Sequence, residues 1–140
     1  MNIYLEIDSV LLVNGETLAN HADAFLQAVM MKYPDATYWL TPNDKVRRDE
    51  AGKLLTAQLK PETAALLDKI KVAEWDGVAS DAIDFKQDFL WFGNELWQED
   101  LKALEKHDVI ERFILVDLTK DPDILQKLAK AVADFDGRTL

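Results

Sequence analysis

Four short apolar runs, each rich in β-branched or aromatic residues, punctuate this chain: Ile3-Tyr4-Leu5, residues 36–41 (ATYWLT), Phe89-Leu90-Trp91-Phe92 and Phe113-Ile114-Leu115-Val116. Runs of this length, closed by polar or turn-forming residues, read as strands buried on both faces. The stretches between them carry apolar residues at three- and four-residue steps, the period of an amphipathic helix. Ala22, Phe25, Leu26, Val29 and Met30 form one such face, Leu96, Trp97, Leu101 and Leu104 another, and Ile124, Leu125, Leu128, Val132 and Phe135 a third. Parallel neighbours need a crossover, so alternating strands and helices imply a mostly parallel central sheet covered by helices. The expected fold is a three-layer α/β sandwich of Rossmann-like type.

Turn chemistry sets the expected boundaries. Thr17 or Asn20 can cap the first helix, which ends before Pro34. Pro42-Asn43-Asp44 breaks the second strand. Residues 43–80 are less regular: Leu54, Leu55 and Leu59 suggest one helix, Pro61 opens another, and Val72–Trp75 suggests a short strand. Thr119 or Asp121 can cap the last helix, with Pro122 in its first turn and Asp136-Gly137 at its end.

With 140 residues and no linker or low-complexity segment, one domain over 1–140 is expected. Net charge is −10 and the pI about 4.6, a field that repels both a phosphate backbone and an anionic membrane surface. Nucleic-acid and membrane partners are therefore not expected. The absence of cysteine removes disulfides and thiolate chemistry. His21 and His107 are far apart and read as surface residues of helices, without metal-ligand spacing. No basic, apolar leader is visible, which points to the cytoplasm. Trp39, Trp91 and Trp97 read as core or core-edge aromatics. Trp75 is left open.

Function turns on the end of the first run. Glu6 and Asp8 fall at its carboxyl end, where open α/β sheets place their ligand crevice. Thr41 falls at the same end of the second strand. Lys45, Arg47 and Arg48 form the densest basic cluster of an acidic chain, beside a helix start that could bind an anion.

Taken in order, the stretches IYLEIDSVLL, TYWLT, ASDAIDFKQDFLWFGNEL and FILVDLT resemble the haloacid dehalogenase-like superfamily of aspartate-nucleophile phosphohydrolases. The resemblance implies a nucleophilic aspartate at position 6, an acid–base aspartate at position 8 and a phosphate-binding hydroxyl at Thr41. It also implies a lysine near Ala79 or Ser80, and a magnesium-binding acidic pair at Gly93-Asn94. Asp8 and Thr41 match. Glu6 carries its carboxylate one methylene too far, about 1.5 Å. No lysine stands at 79–80, and Gly93-Asn94 offers no carboxylate. Only about 30 residues separate Asp8 from Thr41, so no separate cap domain is expected.

Three readings follow. The first is a non-catalytic protein of this fold, a binding or interaction module without cofactor, with Glu6, Asp8 and Thr41 as a relic site. Its partner would be a protein or a phosphorylated ligand, and self-association is left open. The second is a weak or unconventional phosphatase that holds magnesium through Glu6, Asp8, Asn94 and Glu99. The third is a metal-free anion binder using Thr41, Lys45, Arg47 and Arg48. Glu99 and Asp100 otherwise read as a solvated helix face.

Overall fold

The computed structural model describes residues 1–42 and 44–136. Asn43, part of the expected strand break, and Gly137, part of the expected helix end, lie outside the described residues. Five strands form one all-parallel sheet: β1 (Asn2–Leu5), β4 (Thr37–Pro42), β5 (Lys71–Trp75), β6 (Phe89–Gly93) and β7 (Phe113–Leu115). Their order is β5-β4-β1-β6-β7. The first strand is therefore central, and the chain winds outward from it first to one edge and then to the other. That is the doubly wound, Rossmann-like arrangement, with its topological switch point beside β1.

Helices α1 (Ala22–Lys32), α2 (Lys45–Gln58), α3 (Pro61–Leu66), α4 (Gln98–Lys106) and α5 (Ile124–Asp134) flank the sheet. Alternate residues of the strands feed two separate cores. Ile3, Leu5, Trp39, Leu90 and Phe92 face a large core with Phe25, Leu26 and Val29 of α1, Leu55 of α2, and Leu125, Leu128 and Val132 of α5. Tyr4, Leu40, Phe89 and Trp91 face a smaller one closed by Leu104 of α4 and Ile83. Fully burying each such side chain is worth about 1.5–3 kcal/mol. Lys32 draws α1 and α5 together by donating to the carbonyls of Val132 and Phe135, at the carboxyl end of α5 where cations are favoured.

Several local expectations are corrected. Val10-Leu11-Leu12-Val13, an apolar run just past the first strand, does not continue β1. The carbonyl of Ile7 accepts from the N–H groups of Leu11 and Leu12, which turns the chain back. Leu12–Val13 (β2) and Thr17–Leu18 (β3) then form a small antiparallel hairpin. Thr17 is thus engaged in a ladder, and Asn20 donates to Asp123, so neither caps α1. The cap position is His21, in the left-handed region at φ 64°. The last helix starts at Ile124, leaving Thr119, Asp121 and Pro122 in the preceding turn. There Asp117 accepts from Thr119 and Asp121 pairs with Lys127. His21 and His107 sit at helix ends, and His107 stacks on Phe85 with ring centroids 4.2 Å apart. Leu54 is exposed while Leu55 and Leu59 are buried, so α2 presents a narrower apolar stripe than its leucines suggest. Among the described residues no helix is long and apolar enough to cross a membrane.

Candidate functional site

The carboxyl ends of β1, β4 and β5 open onto a crevice of about 260 Å³ lined by Glu6, Asp8, Thr41, Arg47, Arg48, Trp75 and Trp97, among others. The structure thus gathers Glu6, Asp8 and Thr41 with two of the three basic residues. Lys45 is exposed and does not line the crevice.

Glu6 is the most constrained of these side chains. In the ladder Tyr4 lies beside Trp91 and Leu5 beside Phe92, and the Glu6 N–H donates to the Phe92 carbonyl at 3.3 Å. One step further along the pair brings Glu6 next to Gly93. Alternation puts the Trp91 side chain on the face where Gly93 presents none. The Glu6 carboxylate lies in that gap. Trp91 Nε1 donates to Glu6 Oε2 at 2.8 Å. A Cβ placed on Gly93 would fall well inside contact distance of the same Oε2. It would also lie 2.9 Å from Phe113 Cε2 and 3.0 Å from Trp91 Nε1. The longer acid at position 6 and the glycine at position 93 are therefore one coupled arrangement. Burial pushes the Glu6 carboxyl up to about 7, a rise only partly offset by the indole hydrogen bond and reinforced by the charges of Asp100, Glu95 and Asp8.

Asp8 sits across the crevice mouth, with Gly15 behind it in the left-handed turn of the hairpin at φ 72°. Arg47 approaches Asp8 at 3.8 Å, with both side chains well exposed. Arg48 is ion-paired to Glu74. The Arg47 N–H, in the first turn of α2, is taken by the Asp44 carboxylate at 3.1 Å. The Thr41 hydroxyl makes a long contact, 3.4 Å, to the Pro42 carbonyl.

The residues of the alternative magnesium shell lie apart. Asn94 turns its amide to the Val116 carbonyl at 3.0 Å and lines a different depression, with Asp117 and Thr119. Glu99 is exposed on α4 and lines neither. Among the described residues no three His, Asp or Glu side chains are arranged to hold a metal ion.

Two expectations about α4 are reversed. Asp100 is only 2% exposed rather than solvated. Its Oδ1 accepts from the Ser80 N–H at 2.9 Å and its Oδ2 from the Trp97 N–H at 3.2 Å. It ties the turn Ala79–Ala82 to the start of α4. Trp97 in turn is 57% exposed, because it stands at the cap position and projects over the crevice rather than into the core. Asp100→Ala removes the acceptor of two N–H groups in a buried spot, and should lower stability by about 2–3 kcal/mol in denaturant titration. A solvated Asp100 would show under about 0.5 kcal/mol.

The residues missed by sequence reasoning are Trp91, Gly93, Trp75 and Trp97. Trp91 and Gly93 had a signal. A glycine in a buried strand often marks a bulge, a bend or a point where another group approaches the backbone closely. In comparisons with protein families, with characterised proteins and with solved structures, nothing matches this chain.

Proposed function

We propose that this protein is a non-catalytic binding module built on a haloacid dehalogenase-like scaffold, with the crevice at the end of β1 as its binding surface. The observation that carries this reading is the seating of Glu6 over Gly93. In the resembling enzymes a nucleophilic aspartate faces the phosphoryl group and an acid near position 93 shares the metal. Here the carboxylate at position 6 is tied to the Trp91 indole, and it fills the space a side chain at 93 would need. Magnesium requires near-octahedral oxygens at ~2.0–2.1 Å, usually with one or two carboxylates. Glu6 held this way, Gly93 without a side chain and Asn94 turned to a carbonyl do not fit that demand. The anion-binding reading is weaker for a similar reason: Arg47 and Arg48 already face Asp8 and Glu74.

The test is a thermal-shift titration with magnesium, paired with turnover of an aryl phosphate. The module reading expects no magnesium-dependent rise in Tm and no turnover above buffer. Magnesium-dependent turnover that disappears in Asp8→Asn would overturn it in favour of the phosphatase.

A further inference from the structure

Beyond the main crevice lies a smaller cavity of about 90 Å³, between the end of β5, the turn Ala79–Ala82 and the start of α4. Its lining residues include Trp75 and Trp97, and its acidic members are Glu6, Glu95 and Asp100. Among the described residues no lysine, arginine or histidine lines it. Glu6, Trp75 and Trp97 also line the 260 Å³ crevice, so the two spaces adjoin through these side chains. We propose that this cavity is a binding site for the head of an organic cation, an alkylated ammonium or similar group, whose remaining chain runs into the adjoining crevice. The proposal rests on the binding-module reading and names the ligand class of that site.

The two rings carry the argument. Indole faces attract cations through the ring quadrupole, most effectively where water is excluded, and tryptophan is the best of the aromatic residues for this. A tryptophan that is 57% exposed on a protein with two apolar cores has no packing role that demands it there. The volume of about 90 Å³ is roughly that of three waters in the liquid, so an alkylated head fills it and the rest of the ligand must lie in the adjoining crevice. The carboxylates set the sign of the ligand. Glu95 is exposed at the wall, and Glu6 keeps Oε2 on the Trp91 indole. The buried Asp100, together with Glu99, offsets the positive amino end of α4, which would otherwise repel a cation.

Binding should respond to pH. Glu6 is faced by Asp8, Glu95 and Asp100, with Arg47 and Arg48 across the crevice. A bound cation favours its charged form. Affinity should therefore tighten as pH rises through about 7, the value at which Glu6 loses its proton.

Choline is the probe, and 3,3-dimethylbutan-1-ol is its neutral isostere. Choline added in the millimolar range should shift the indole N–H signals of Trp75 and Trp97 saturably, leaving that of Trp39 in place. The isostere should bind at least about tenfold more weakly. Trp97→Ala should weaken choline about tenfold, and Glu6→Gln should abolish the pH step. A peptide bearing one trimethylated lysine separates the two sources of such a head. Tighter binding than choline assigns a protein side chain, and weaker binding assigns a small molecule. Equal shifts with choline and its isostere, or no shift with either choline or the peptide, would overturn the proposal. That outcome without phosphatase activity would leave the module reading standing, whereas magnesium-dependent turnover would sink the module reading alone.

Discussion

Gly93→Ala should destabilise the protein by about 1–3 kcal/mol, and Gly93→Asp by more, although one methyl group is the entire change in the first case. The added Cβ meets Glu6 Oε2, the Phe113 ring and the Trp91 indole at once. Gly93 is buried, so none of these can move into open space without cost. Glu6 is the most flexible of the three, but leaving its seat breaks the Trp91 bond and strands an indole N–H. In Gly93→Asp a second carboxyl would be buried beside Glu6, which adds like-charge repulsion. The decisive measurement is a double-mutant cycle by denaturant unfolding. Glu6→Ala removes the crowding atom, so Gly93→Ala should cost less in that background, with a coupling of about 0.5–3 kcal/mol. Phe113 remains, so the cost should not vanish. Strict additivity would show that Glu6 does not occupy the space over Gly93.

The second large effect is the pH dependence of Glu6→Gln. The Glu6 carboxyl moves from 4.5 in the unfolded chain to about 7 in the folded one. The native state therefore binds the proton more tightly. The stability this gives is fully present below about pH 4.5 and is lost as pH rises through about 7. A move of this size corresponds to about 3 kcal/mol. Glutamine keeps an acceptor for the Trp91 indole but carries no charge. Glu6→Gln should thus match the parent protein near pH 4 and exceed its stability by up to about 3 kcal/mol at pH 8. The comparison must be made at each pH. The carboxyls of Asp117, bonded to Thr119, and Asp121, bonded to Lys127, are held below the usual range, and their contribution is lost as pH falls. Those groups are common to both proteins and cancel in the difference. A difference that stays flat from pH 4 to 8 would mean that Glu6 is hydrated and titrates normally.

The architecture could be read from the chain because its cause is local and repeated. Four of the five sheet strands come from short apolar runs, and each of α1 and α5 carries one apolar stripe that needs a cover. Even Val72–Trp75, a weak run, pairs with β4 as one edge strand of the sheet. The caps were not legible, because Thr17 and Asn20 have equally good local partners elsewhere, and which one wins depends on the hairpin and on Asp123. Glu6, Asp8 and Thr41 line one crevice because all three lie at the carboxyl ends of neighbouring strands in a parallel sheet, a placement that strand order in the sequence implies. What the carboxylates do there was hidden. The Glu6 environment depends on the register of β1 against β6, residues more than 80 positions away. Asp100 and Trp97 exchanged their expected surroundings because α4 begins at Gln98, not at Leu96, which turns the whole first turn.

The central place of β1 also bears on how the chain reaches this state. Its ladder partners lie at residues 37–39 on one side and 89–92 on the other. The second set cannot be met until some two-thirds of the chain is available. Pairings so distant along the chain are slow to close and leave apolar edges bare meanwhile. A nascent fragment ending before Phe89 would expose the Ile3-Tyr4-Leu5 edge along its whole length. Refolding from dilute denaturant, and recruitment of chaperones during translation, should therefore be governed by the arrival of β6 rather than by the formation of any helix.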